Sequence, residues 1–246
     1  MKLFRADLHV HTVLSPCAAI EMIPPLIIQE SLHSGINLIA ITDHNSSANV
    51  LSVMKAAQGT ELMVIPGMEV QSKEEVHILC YFDTIDQLKE WQKIVDSELP
   101  DVENDTDHFG EQFIVDETGE FIRSEDRLLL TSTHMGFSEI YNHVKSLGGL
   151  FIPAHVNRKA FGLIANLGLV PTDVKVEGLE ISRHIQEKDA KITFPQINGY
   201  PIIQNGDVHY IDEFLGSCEY DLEVPSIKDI RLALNSLEGR RLNFRH

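Results

Sequence analysis

Histidine and acidic residues cluster at short spacings along this chain, in patterns typical of metal ligands. The sequence holds 12 histidines among 246 residues. The first cluster, Asp7-Leu-His9-Val-His11, directly follows a short apolar run. Side chains two residues apart in an extended chain point the same way, so His9 and His11 can reach one ion.

The remaining clusters occur where other apolar runs begin or end. They are Thr42-Asp43-His44, Pro66-Gly67-Met68-Glu69, Glu75-Val76-His77, Pro153-Ala154-His155 and Gly206-Asp207-Val208-His209. The carboxyl ends of parallel strands lie on one face of an α/β fold, where such folds place their sites. One histidine or aspartate there is usually a packing or helix-capping residue. Six histidines with two carboxylates together predict a metal site, and these ligands suit zinc, manganese or iron alike.

The elements that must position these clusters are short apolar runs alternating with helix-like stretches. Strands are predicted over residues 3–8, 37–41, 62–65, 77–82, 150–152, 178–181 and 201–203. Helices are predicted over residues 24–34, 46–58, 86–95 and 137–147. This alternation predicts parallel strands with helical crossovers, and therefore an α/β barrel or an open α/β sheet.

The composition excludes several classes of protein. With 43% hydrophobic and 23% charged residues, the chain can bury a core and is not expected to be disordered. No apolar window is long enough to span a membrane. A formal charge of −17 opposes a non-specific nucleic-acid binder and makes long nucleic acid an unfavourable partner. Three widely spaced cysteines without a CxxC motif indicate a reducing, cytoplasmic environment rather than a disulfide framework.

One segment departs from the alternating pattern. Residues 96–126 contain twelve acidic residues and one basic residue, Arg123, a net charge of −11. Residues 113–122 are predicted to form a hairpin that turns near Thr118-Gly119. We call residues 96–126 the acidic insertion. It is expected to pack outside the barrel and to supply no metal ligand. Its role would be either that of a solvated surface or that of a lid or docking site for a protein partner.

Taken together, the motifs resemble the PHP (polymerase and histidinol phosphatase) family of metal-dependent phosphoesterases. Asp7–His11 with Thr12 resembles the first motif of that family, and Ile41-Thr42-Asp43-His44 the second. The clusters around Glu69, His77, His155 and Asp207 resemble the later ones. The resemblance implies one PHP domain over residues 1–246, folded as a distorted (β/α)7 barrel. Its metal site would lie at the carboxyl ends of the strands and hold two or three divalent transition-metal ions.

The resemblance also implies how the ligands are shared. His9, His11, Glu69 and Asp207 would hold one ion. Glu69 would bridge to a second ion, held by His77 and His155. His44 and His209 would hold a third. Family members often place Asp or His five or six residues after the equivalent of His11, where this chain has Pro16 and Cys17. Cys17 is either a thiolate ligand or a small packing residue, and the sequence leaves both open.

Four further residues are candidates for catalytic roles. Asp7 and Asp43 adjoin ligands and could fix the tautomers of the imidazoles, although each could equally solvate a strand end. Arg158 follows His155 by three residues, and Arg183 follows a predicted strand end. The planar guanidinium of either arginine could bind phosphate, the alternative being a surface salt bridge.

These residues predict a phosphoesterase. Paired metal ions activate water as hydroxide near neutral pH and stabilise an in-line phosphoryl displacement. Three ions would leave the site with a local charge of about +4, favouring a compact dianion. We therefore expect hydrolysis of a small phosphomonoester. The alternatives are a histidinol-phosphate phosphatase, a nuclease acting on short single-stranded or nucleotide substrates, or a non-catalytic module that retains the metal fold.

Overall fold

The computed structural model describes residues 1–245 and shows an α/β fold of eleven strands and eight α-helices within that range. The strands are β1 (Lys2–Val10), β2 (Leu38–Ile41), β3 (Met63–Gln71), β4 (His77–Tyr81), β5 (Phe113–Val115), β6 (Phe121–Ser124), β7 (Leu150–Pro153), β8 (Leu179–Ile181), β9 (Ile202–Gln204), β10 (Cys218–Leu222) and β11 (Arg241–Phe244). The helices are α1 (Pro24–His33), α2 (Val50–Ala56), α3 (Ile85–Glu98), α4 (Thr106–Phe109), α5 (Phe137–Ser146), α6 (Leu163–Leu167), α7 (Glu187–Thr193) and α8 (Ile227–Leu234). Two short 3₁₀ helices cover Pro195–Ile197 and Ile211–Glu213.

A curled seven-stranded sheet forms most of the barrel wall. Its order is β11-β10-β1-β2-β3-β4-β7, and β8 and β9 form a separate parallel pair. A bridge between Val10 and Val208 joins the end of β1 to the segment after β9. The predicted distorted α/β barrel is therefore confirmed, because β8 and β9 lie between the two edges of the curled sheet.

The prediction that the barrel strands are parallel is wrong for β4. This strand runs antiparallel to both β3 and β7. The reason is the short connection between β3 and β4, since five residues can form a tight turn but cannot hold a crossover helix. The reversal matters for the site. It brings His77, the first residue of β4, beside Gln71 at the carboxyl end of β3.

The third strand is also longer than predicted. Pro66 and Gly67 had indicated its end, yet β3 continues to Gln71, so Glu69 lies within a strand rather than after one. Gly67 permits this because a Cβ there would lie 2.9 Å from the Ile41 backbone oxygen. The close approach of β3 to β2 therefore requires glycine.

The helix predicted from residue 46 begins later, at Val50. Asn45 has a left-handed φ of 49°, and its side-chain amide donates to the backbone oxygens of Leu129 and Thr131. These bonds hold residues after His44 in a loop. The other predicted helices match α1, α3 and α5 to within a few residues, and α3 begins with a capping box formed by Thr84 and Gln87.

Two buried apolar clusters hold the fold together. Alternate residues of each strand enter different clusters, as Leu38 and Ala40 do on one side of β2 and Ile39 and Ile41 on the other. One cluster includes apolar residues of α1, α2, α3 and α5, and the other includes those of α8. The sheet is thus packed on both faces, which is typical of parallel strands with helical crossovers.

The acidic insertion packs on the loop after β1 and on α2. The predicted hairpin is present as the antiparallel pair β5 and β6. The backbone N–H of Phe113 donates to Val13 O, and the N–H of Val115 donates to the Asn49 side chain. Among residues 1–245, no helix has the length and apolar character that a membrane span requires.

Candidate metal centre

Glu69 lies at the middle of a group of histidines that the barrel strands bring together. Its side chain is 1% exposed, and five imidazoles approach its carboxylate oxygens. The distances are 3.0 Å from His44 Nδ1, 3.0 Å from His77 Nδ1, 3.2 Å from His155 Nε2, 3.3 Å from His9 Nε2 and 3.5 Å from His11 Nε2. We call the eight predicted ligands that meet here the metal centre.

Asp207 faces the same space from the opposite side of the barrel. Its Oδ1 lies 3.3 Å from His9 Nε2, 3.6 Å from His11 Nε2 and 3.6 Å from His209 Nδ1. The structure thus brings all eight predicted ligands together, although they come from segments up to 200 residues apart. Their roles as ligands stay a prediction.

Backbone strain is concentrated at this end of the barrel. Asn45, His155, Phe161 and Asp207 all have positive φ angles, of 49°, 27°, 59° and 52°. This left-handed region is unfavourable for residues other than glycine and persists where surrounding contacts impose it. Asp207 follows Gly206, whose N–H donates to the Asp7 carboxylate at 2.9 Å. This hydrogen bond between Gly206 and Asp7 fixes the turn that directs the Asp207 side chain towards His9.

The structure identifies one important residue that the sequence analysis did not single out. Glu180 is 1% exposed and accepts hydrogen bonds from His9 Nδ1 at 3.1 Å, Asn205 Nδ2 at 2.7 Å and the His155 backbone N–H at 2.8 Å. It therefore orients His9 so that Nε2 faces Glu69 and Asp207. A glutamate inside the apolar strand predicted over residues 178–181 was the available signal, since buried carboxylates need partners.

For Asp7 and Asp43, the sequence predicts either a partner of an imidazole or a residue that solvates a strand end. Among the described residues, neither carboxylate contacts an imidazole. Asp7 accepts backbone N–H groups of Gly206 and Leu215. Asp43 accepts from Ser15 Oγ at 2.8 Å, and Ser15 Oγ lies 2.9 Å from His11 Nδ1. Asp43 thus reaches His11 through a serine, because its short side chain is engaged by the loop after β1.

The donor set fits metal ions. Three overlapping groups each have ligand atoms within 4.8 Å of one another: His9, His11 and Glu69; His44, Glu69 and His77; and His11, His44 and His209. Glu69 Oε2 and His77 Nδ1 are buried. Although each lies 3.0 Å from a polar atom, neither makes a hydrogen bond of acceptable geometry within residues 1–245. Buried polar atoms are rarely left unpaired, and cations held between these groups would satisfy them. Glu69 is shared by two groups, as a bridging ligand would be.

The surroundings shift the pKa values of the carboxylates and histidines strongly. Burial alone would raise the pKa of Glu69, but the nearby His77, His9 and His44 hold it well below its usual range. Burial is the main reason that the pKa of His77 falls to about 4. A deprotonated carboxylate and a neutral imidazole are the forms that bind metal ions.

Cys17 lies beside the third group. Desolvation would raise the pKa of its thiol, but the nearby His44 and His209 lower the pKa to about 6, and the residue remains solvent-exposed. A thiolate next to two imidazoles is chemically suited to ligate zinc or iron. Whether Cys17 is a ligand stays open at this point, as it was from the sequence.

Two clefts open from the metal centre to solvent. The first, called the arginine cleft, encloses about 520 Å³ and is lined by Arg158, Arg183, Ser182, His184 and Tyr210. The second, called the phenyl cleft, encloses about 310 Å³ and is lined by Phe109, Leu130 and Phe161. Cys17, Arg158, Asp207 and His209 line both. The two clefts therefore share one wall, which includes Asp207 and His209 of the metal centre.

The two predicted phosphate-binding arginines both reach the clefts. Arg158 Nη1 donates to Asp207 Oδ2 at 2.7 Å, and its side chain is 43% exposed. Arg183 Nη1 lies 3.5 Å from Glu213 Oε1. Each arginine is paired with one acid but keeps guanidinium N–H groups for another partner.

The chain is similar to a protein family and to several known proteins. The PHP domain family model matches residues 7–165, more than half of the chain. The uncharacterized protein YqxK of Bacillus subtilis (strain 168) is 23% identical over 98% of this chain and 64% of its own length. The lesion-specific endonuclease PfuEndoQ of Pyrococcus furiosus superposes with a TM-score of 0.77, at 20% identity, over 98% of this chain and 58% of that protein.

Two further structures extend the comparison. A complex of endonuclease Q with a 27-mer duplex, carrying an abasic lesion at the active site, gives a TM-score of 0.71 at 19% identity, covering 98% and 58% of the two chains. A protein from Bifidobacterium adolescentis, described as a metal-dependent phosphoesterase, gives 0.55 at 17% identity, covering 83% and 87%. The chain spans less than two thirds of the lengths of YqxK and endonuclease Q.

Proposed function

The chain belongs to the PHP domain family, and from this premise we propose that it is a metal-dependent hydrolase of small phosphomonoesters. The main support for this proposal is the position of Glu69 and Asp207, which face a common set of histidines next to Arg158. This arrangement supports the proposal, because carboxylates, imidazoles and a guanidinium lie on the same wall of an open cleft. Phosphate oxygens are bound by both kinds of group.

The metal centre would hold two or three zinc, manganese or iron ions. His9, His11, His44, His77, His155 and His209 would supply imidazole nitrogens, and Glu69 and Asp207 would supply carboxylate oxygens. When bound, such ions activate water and polarise the phosphoryl group. Glu180 and Asp43, the latter through Ser15, keep His9 and His11 aimed at the centre.

Arg158 and Arg183 would bind the phosphate group. Arg158 is already held at the centre by Asp207, so its remaining N–H groups are oriented before substrate arrives. Arg183 lines the same cleft. Because a planar guanidinium donates two parallel hydrogen bonds to phosphate oxygens, two arginines can fix the dianion in one orientation.

The charge distribution favours a compact substrate. Bound ions would make the centre locally positive, whereas the whole chain carries −17 and the acidic insertion −11. A small dianion meets mainly the ions at short range. A long polyanion also meets the acidic surface within about 10 Å at 0.1 M salt.

A nuclease is the second candidate, because of the likeness to endonuclease Q over 98% of this chain. One structure of that enzyme holds a 27-mer duplex, which weakens the expectation that long nucleic acid is no partner here. Salt separates the two cases. Cleavage by a basic nucleic-acid enzyme falls steeply as salt rises, whereas screening of an acidic surface would help cleavage by this chain.

The decisive experiment is a substrate panel with the metal-loaded protein. It compares sugar phosphates, mononucleotides, histidinol phosphate and single-stranded and duplex oligonucleotides at two salt concentrations. We expect phosphomonoesters to be hydrolysed faster than oligonucleotides, with activity abolished by a chelator and by Asp207→Asn. Arg183→Ala should raise KM more than it lowers kcat. Efficient oligonucleotide cleavage that falls steeply with salt would contradict the proposal and favour the nuclease.

A further inference from the structure

The phenyl cleft contains most of the metal centre, because His44, Glu69, His77, His155, Asp207 and His209 line it as well. Its apolar side, however, has no part in the hydrolysis described above. Phe109 reaches it from α4 in the acidic insertion, Leu130 from the loop before α5, and Phe161 from the loop after His155. Three apolar side chains that are each partly exposed therefore line one side of an otherwise polar site. Exposed apolar walls at a site are typical of ligand contact.

Phe161 is held in a fixed orientation. Its ring stacks on the His77 ring, with centroids 4.5 Å apart and planes 9° apart. Its backbone oxygen accepts from the His77 N–H at 3.1 Å. The residue has a left-handed φ of 59° and remains 37% exposed. An aromatic residue in this strained conformation is costly to keep, and here it presents a rigid apolar surface to the cleft.

Resting on the function proposed above, we propose that the phenyl cleft binds a flat aromatic leaving group, stacked against Phe161. The phosphate would lie at the shared wall beside Arg158, and the ring would extend between Phe161 and Phe109. Hydrolysis breaks the P–O bond to the leaving group and forms a new P–O bond to water. One proton of that water goes to the departing oxygen, so the products are inorganic phosphate and the free alcohol.

The physical reason is the match between the cleft walls and an aromatic ring. A sugar phosphate would leave the phenyl rings in water and bury hydroxyl groups without partners. An aromatic ring removes apolar surface from water and stacks favourably on a fixed phenyl ring. The cleft therefore favours aromatic over aliphatic phosphoesters, independently of the metal ions.

The test compares three phosphomonoesters with the metal-loaded protein: benzyl, ethyl and cyclohexylmethyl phosphate. Their leaving alcohols have similar acidity, so differences report on the cleft. We expect kcat/KM for benzyl phosphate to exceed that for each of the other two by about tenfold. Phe161→Ala should reduce this preference to less than about twofold, mainly by raising the KM for benzyl phosphate. Phe161→Tyr should retain the preference.

Two controls separate this proposal from the proposed function. Phe121→Ala removes an exposed phenylalanine of the hairpin that does not line the phenyl cleft, and should leave the preference intact. Calorimetry with benzylphosphonate and ethylphosphonate measures ring binding without turnover. The metal content of each variant shows whether His77 is still in place.

The outcomes are distinct. Equal binding and turnover of benzyl and ethyl compounds would overturn the proposal, as would an unchanged preference in Phe161→Ala. Cyclohexylmethyl phosphate as good as benzyl phosphate would refute a flat aromatic group. If no ester is hydrolysed, the proposed function fails, and the two phosphonates still decide whether the cleft binds an aromatic ring.

Discussion

The metal centre and the acidic insertion both concentrate carboxylates, but they hold them in opposite surroundings. Glu69 is buried, and five histidines contact it within 3.5 Å. In the insertion, Asp116 is partly exposed, and its carboxylate accepts hydrogen bonds from Thr118 and Glu120 of its own turn. Glu125 is paired with Arg123, whose side chain is 58% exposed.

The difference shows that placement, rather than number, decides what a carboxylate does. A buried carboxylate among imidazoles cannot be replaced by water, so its loss leaves several groups unpaired. An exposed carboxylate is solvated and screened, so its loss changes little. Substitutions of matched chemistry in the two regions should therefore differ greatly in effect.

The largest effect is expected from Glu69→Gln. The amide removes the negative charge that two of the proposed ligand groups share. Metal affinity should therefore fall by at least about 100-fold, more than the loss typical when a residue that only hydrogen-bonds to a metal ligand is replaced. Elemental analysis after dialysis and initial hydrolysis rates measure this. Glu117→Gln in the insertion, whose side chain is 45% exposed, is the matched control and should behave as wild type. Full metal content in Glu69→Gln would contradict the assignment of Glu69 as a bridge.

A smaller loss is expected from Glu180→Gln. The amide keeps the shape but cannot accept from both His9 and the His155 N–H as the carboxylate does. Metal affinity should fall by about 10-fold to 100-fold, measured by competition with a chromogenic chelator. Glu187→Gln, in the surface pair with Lys191, serves as the control. Unchanged affinity would mean that His9 is oriented by packing alone.

Cys17→Ser should remove about one ion per chain, because the thiol lies beside His44 and His209. In the metal-free wild type, alkylation of Cys17 should rise with pH through about 6, since a lowered pKa gives the reactive thiolate at lower pH. Metal loading should slow that reaction. Cys80 and Cys218 are buried with raised pKa values and should stay unlabelled. An unchanged metal stoichiometry in the serine variant would make Cys17 a packing residue.

The smallest effect is expected in the insertion itself. Replacing Asp105, Asp107 and Glu111 with their amides should change kcat/KM for a small phosphomonoester less than about twofold at 0.1 M salt, because the charges are exposed and screened. Steady-state kinetics measure this, with metal content as a check. Loss of a metal ion in this triple variant would show that a carboxylate of the insertion reaches the centre, against the prediction that it supplies no ligand.

Local sequence spacing was enough to predict the class of site and most of its members. Histidines and carboxylates at strand ends carry their own signal, since the carboxyl ends of barrel strands converge. That reasoning named the eight residues that the structure brings together. It also gave the hairpin, whose pattern is local. The alternation of elements left an α/β barrel and an open α/β sheet as alternatives, and only the family resemblance implied the barrel. Local spacing did not identify Glu180, whose partners lie on other strands, and it did not decide the role of Asp7, which contacts backbone rather than an imidazole.

What the sequence by itself determined is therefore the chemistry available, because residue type and short-range spacing fix which donor atoms exist and which can point together. Only the tertiary structure decided how they combine. The antiparallel course of β4 brings His77 to the side of Glu69, and the insertion brings Phe109 to the phenyl cleft. The first depends on the pairing of β4 with β3 and β7, and the second on contacts between segments far apart in the chain. Hydrophobic periodicity along the chain does not encode which pairing has the lowest free energy.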